Sequence, residues 1–166
     1  VHVGSWEEAP CGAFIDQGPW ITDAVARFAA AGAKRIGLVG AYAPNPGYKR
    51  FWEAYEQATR NAGLPPERMA AFYHGQGASA GRRVAAELLA LSPRERPAAL
   101  VVIDDRIANG LTAELAAANG YRPALAVQIN RQAPLTLALP VRAYELDIDA
   151  MAEVSVKILL RRMRDP

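Results

Sequence analysis

Four short apolar runs punctuate the chain: RIGLVG (Arg35–Gly40), MAAFYH (Met69–His74), ALVVI (Ala99–Ile103) and ALAVQIN (Ala124–Asn130). A strand with one wet face alternates apolar and polar residues. A run that stays apolar needs cover on both faces. A helix-periodic stretch follows each of the first three runs, and another precedes the first. Buried strands separated by helix-length crossovers predict an α/β fold, with a mostly parallel sheet flanked by helices. In the helix before the first run, Ile21, Ala24, Val25, Phe28 and Ala29 share one face. The spacing predicts a helix over Trp20–Ala31, stopped by Gly32. Further helices are expected at Tyr48–Ala62, up to Leu91, at Arg106–Asn119 and at Asp149–Met163. Shorter extended pieces are expected at Val1–Val3, Ala13–Ile15 and Val141–Leu146. The stretches AYAPNPG and SPRERP are turn-rich breaks.

In such sheets ligands bind beyond the carboxyl ends of the strands. That directs attention to Asp16, the loops after Gly40 and His74, the pair Asp104–Asp105, and Asn130 with Arg131. The two aspartates stand where a buried run surfaces. An Asp before a helix caps its free N–H groups. A phosphoacceptor pair needs a lysine after the last strand, where this chain has Asn130 and Arg131. A hard-cation site needs six or more oxygens, and only Asp16 offers a third carboxylate. In GQGASAG the spacing of Gly75, Gly77 and Gly81 lacks the Lys-Ser/Thr of a phosphate loop and misses the dinucleotide fingerprint. It reads as a strand-to-helix turn.

Other classes fall away for similar reasons. A net charge of +2 with interspersed signs offers no basic footprint for nucleic-acid phosphates. No apolar run reaches the roughly 18 residues of a membrane span. One cysteine, Cys11, excludes an internal disulfide or a cysteine-rich zinc site. There is no G-x-S-x-G elbow, and His2 and His74 have no evident partner. The expectation is therefore a binding domain without catalytic set or cofactor. In GYKRFWEAY, Phe51, Trp52 and Tyr55 fit a core, while Tyr48 and Arg50 lie near the rim. An Arg fork can hold two ligand oxygens. An aromatic face such as Trp20 suits the apolar face of a sugar ring. The set suits a sugar or polyol, though any polar small molecule would fit it.

Three stretches in this order resemble the effector-binding domain of lactose-repressor/galactose-repressor (LacI/GalR) type regulators. They are FIDQGPWITDAVARFAAAGAKRIGLVG, YKRFWEAYEQATRNAGLPP and PAALVVIDDRIANGLTAELAAANG. The resemblance implies a two-lobed fold of the periplasmic-binding-protein-like type I, with a ligand in the cleft. It implies a complete C-terminal lobe over residues 43–146. Residues 1–42 and 147–166 would be part of the N-terminal lobe, whose remainder precedes this chain. The implied function is a sugar-sensing, cytoplasmic, homodimeric regulator that controls operator DNA through a helix-turn-helix outside this chain. The alternative is an extracytoplasmic solute-binding protein of a transporter. Carried over by position, Asp104 stands at a ligand-contacting Asn and Asp105 at a structural Asp that starts the helix. Arg50 falls one residue from the family's effector-binding Arg. Asn130 replaces an effector-contacting Asp, and Gln76 stands near a stacking aromatic. Asp16 matches the acidic residue before the first helix. The expected ligand set is Asp16, Trp20, Tyr48, Arg50, Gln76, Asp104 and Asn130.

Overall fold

The computed structural model describes residues 2–3, 12–13, 16–40, 46–65, 69–118 and 120–164. The elements are β1 (His2–Val3), β2 (Gly12–Ala13), α1 (Gly18–Ala30), β3 (Ile36–Gly40), α2 (Pro46–Asn61) and β4 (Met69–Tyr73). They continue with α3 (Gly77–Ala90), β5 (Ala99–Val102), α4 (Asp105–Ala117), β6 (Ala124–Asn130), β7 (Arg142–Leu146) and α5 (Ile148–Arg164). The expected helices and main strands are all present. Of the Ala13–Ile15 strand expected from sequence, residues 14–15 lie outside the described residues, as do Cys11 and most of the AYAPNPG loop.

Five strands form one parallel sheet in the order β4-β3-β5-β6-β7. Strand pleating sends alternate side chains to opposite faces, and each face meets its own helix pair. Ile36, Leu38, Val101 and Ala126 join Ile21, Val25, Phe51 and Tyr55 under α1 and α2. Val39, Leu100, Val102 and Val127 join Val84, Leu88, Leu111 and Leu115 under α3 and α4. This two-sided cover is why the strands read as unbroken apolar runs. Tyr55 is buried whole because its hydroxyl donates to Ile36 O at 2.7 Å.

The α3–α4 contact accounts for two glycines. A Cβ on Gly81 would lie 2.0 Å from Ile107 O, and one on Gly110 would lie 1.9 Å from Ala78 O. The helices cross backbone to backbone. Gly77 begins α3 with φ +72°. The glycines of GQGASAG thus serve a turn and a helix contact, as the turn reading expected.

One boundary differs from expectation. The resemblance puts residues 1–42 in the N-terminal lobe, yet β3 is hydrogen-bonded between β4 and β5, and α1 packs on α2. From α1 onward the chain shares the sheet of residues 43–146. An apolar run such as RIGLVG reads the same in any sheet, so its partners are not visible locally. The short pair β1–β2 packs instead with α5. None of the described α5 residues is buried, and Val154, Val156, Leu159, Leu160 and Met163 face solvent.

Candidate functional site

Every strand of the sheet runs the same way, so the starts of α1 to α4 meet the strand ends on one rim. The order β4-β3-β5 reverses the direction of travel between β3 and β5. Such a reversal leaves a crevice where ligands bind in open α/β sheets.

Asp16 and Arg50 come together near the starts of α1 and α2. With Gln17, Gly18, Glu53 and Ala54 they line an open pocket of ≈ 290 Å³. Asp16 Oδ1 accepts from Gly18 N at 2.9 Å, which satisfies one free N–H of the α1 start. Pro19 in that first turn has no N–H to satisfy. Gln17 precedes the helix and is only 6% exposed. Its Oε1 accepts from Trp20 Nε1 at 2.7 Å and from Gln128 Nε2 at 3.0 Å. Gln128, on β6, is 7% exposed. A buried amide needs such partners, because an unmade hydrogen bond costs about 1–3 kcal/mol.

Trp20 does not line that pocket. Its ring lies against Tyr144 of β7 at 5.3 Å between centroids, tilted by 43°. Tyr144 in turn donates to Asp23 Oδ2 at 2.6 Å, and Arg27 Nε donates to the same oxygen at 2.7 Å. The hydrogen bonds from Arg27 and Tyr144 hold the Asp23 carboxyl below its usual range. Burial, then the bond to Asp23, pushes the Tyr144 phenol up to about 12. Gln17, Gln128, Asp23 and Tyr144 were not foreseen from sequence. Gln128 offered the one signal, a polar residue interrupting a buried run.

The two aspartates point in different directions. Asp104 is the cap: Oδ1 accepts from Arg106 N at 2.8 Å and Ile107 N at 3.2 Å. The Arg106 guanidinium closes on the same carboxylate, with Nη2 donating to Oδ2 at 2.7 Å. Its own helix therefore occupies the group expected to face a ligand. Asp105 reaches across the rim instead, and Asn130 N donates to its Oδ2 at 3.0 Å. The Asn130 side chain folds back, accepting from Gln132 N at 3.0 Å. Gln76 lies at the start of α3, exposed and making no cap bond, beside the edge strand β4. Tyr48 lies in the first turn of α2, but its side chain lies outside the described residues. His74, without an evident partner in sequence, meets Glu87, one face of α3 having brought them together. Among the described residues, no three His, Cys, Asp or Glu groups are gathered to hold a metal ion.

The periplasmic binding protein-like domain family has a sequence model that matches residues 25–166, most of the chain. The chain belongs to that family. No curated protein sequence matches it. Solved structures share its fold. One is a LacI family transcription regulator from Clostridium acetobutylicum, at 16% identity and TM-score 0.76, over 99% of this chain and 62% of that one. A LacI family transcriptional regulator from Lactobacillus casei with bound glucose aligns at 19% identity and TM-score 0.77, over 99% and 64%. One from Enterococcus faecium with bound ribose aligns at 17% identity and TM-score 0.79, over 98% and 61%. The chain therefore spans about three fifths of the length of these regulators.

Proposed function

We propose that this chain is the effector-sensing part of a LacI-type transcription regulator and that it binds a sugar-like small molecule at the rim. The observation that carries the reading is the pocket of Asp16, Gln17, Arg50 and Glu53. It offers hydrogen-bond donors and acceptors together, as a polyol requires, at the strand-end position where parallel sheets bind ligands. The glucose and ribose held by relatives of the same fold favour that ligand class. β1, β2 and α5 would belong to the second lobe of the sensor. A ligand held more tightly by the closed arrangement of the lobes shifts the population toward it. That shift reaches DNA through a helix-turn-helix outside these residues, in a dimer.

The test is a thermal-shift screen of the full chain against sugars, sugar phosphates, polyols and nucleosides. A ligand at about a hundred times its dissociation constant adds about 2.7 kcal/mol to folded-state stability. For a chain of this size that is a rise of about 5–10 °C. The reading expects one sugar or polyol to produce it and Arg50→Ala to abolish it. A rise with nucleosides alone, or one indifferent to Arg50→Ala, would count against it.

A further inference from the structure

A carboxamide has an acceptor at one end and a donor at the other, and at Gln17 the chemistry of the neighbours decides which is which. The Trp20 indole nitrogen only donates. The Gln17 atom 2.7 Å from it is therefore Oε1. The Gln128 atom that meets this same oxygen at 3.0 Å must then be its donor, Nε2. Two donors thus hold the Gln17 oxygen, and the orientation of the amide follows. The donor Nε2 of Gln17 is left over, and no described residue accepts from it. Gln17 is more than nine-tenths buried and lines the ≈ 290 Å³ pocket. A donor held at the wall of a polar pocket, with its own acceptor already engaged, is arranged for an occupant of that pocket.

We infer that Gln17 reads the effector: its Nε2 donates to a ligand oxygen, and Trp20 and Gln128 are positioning residues that fix the amide. The inference rests on the sugar-sensing reading and narrows its ligand class. An ammonium group cannot accept from Nε2. A carboxylate could, and Arg50 would attract it, but the two carboxylates of Asp16 and Glu53 outnumber that single cation in the lining. A hydroxyl accepts from Gln17 and donates to either acid. The ligand is a neutral polyhydroxyl compound, read at one hydroxyl by Gln17.

The experiment is calorimetric titration of the full chain with D-glucose, D-ribose and sucrose, for wild type, Gln17→Glu and Trp20→Phe. Gln17→Glu keeps oxygens for Trp20 and Gln128 and replaces the donor with an acceptor. Expected is at least about tenfold weaker binding of the sugar that wild type binds, read at a temperature where the sugar-free variant is folded. Trp20→Phe keeps a ring against Tyr144 but releases the Gln17 oxygen, and a smaller loss is expected. The side-chain amide NMR signal of Gln17 should shift on sugar addition in wild type. If a sugar binds wild type and Gln17→Glu equally, the role of Gln17 is overturned and the sugar-sensing reading stands. If wild type binds none of the three, the sugar reading falls, and this ligand class with it.

Discussion

Gly110→Ala isolates the tightest packing requirement in the fold. The added Cβ would lie 1.9 Å from Ala78 O, and real Cβ contacts do not fall below 3.0 Å. The obstacle is backbone, so α3 and α4 must part by about 1.1 Å at that point. A gap of this size forfeits roughly a quarter to a half of the dispersion attraction between the atoms it separates. Those atoms include the layer of Val84, Leu88, Leu111 and Leu115. Overpacking costs about 1–3 kcal/mol and occasionally more, and an immovable carbonyl puts this site at the upper end. Alanine regains about 1 kcal/mol of helix propensity over glycine. The expected net loss is about 2 kcal/mol, or a melting temperature lower by about 4–8 °C. Differential scanning calorimetry of the two proteins reads it directly. A variant that melts at or above wild type would mean that propensity outweighs the clash, and the close backbone crossing would be refuted.

Further outcomes follow from the rim. Asp104→Ala should lower stability by about 1 kcal/mol through loss of the α4 cap, and Asp104→Asn should largely restore it; denaturant titration distinguishes the two. Tyr55→Phe should cost about 1 kcal/mol by removing the buried hydroxyl's bond to Ile36 O, measured the same way. The Asp23 carboxyl has a folded-state pKa below the ordinary 3.8, so its contribution is complete above that value and fades as pH falls through the lower folded-state one. Asp23→Asn should flatten the acid limb of the stability–pH curve below about pH 4. Tyr144, pushed from 10.0 to about 12, contributes below pH 10 and loses that contribution as pH climbs toward 12. Tyr144→Phe should flatten the alkaline limb.

The sheet was legible because burial on both faces leaves an uninterrupted signature, as in the run Ala124–Asn130, matched residue for residue by β6. The strand order was not legible. It depends on which runs pair, and Ile36–Gly40 carries nothing that distinguishes a central strand from one in another lobe. Asp16 and Arg50, singled out from sequence, line one pocket near the starts of α1 and α2. Side-chain direction was not legible. Asp104 and Asp105 are adjacent and chemically identical, yet helix geometry aims one at its own N–H groups and the other across to β6. Gln17 and Gln128 lie 111 residues apart, and only the folded sheet makes them partners.

The most direct test of the proposed sensor is a crystal structure of the chain with its most strongly stabilising sugar. The account predicts the sugar at the rim, with an oxygen in hydrogen-bonding distance of Gln17 Nε2 and with Asp16 and Arg50 at its hydroxyls. A sugar bound elsewhere would contradict it. An open groove of ≈ 400 Å³ between α1 and α2 is lined by Thr22, Ala26, Ala58 and Asn61, and a sugar seated there would move the effector site off the strand ends.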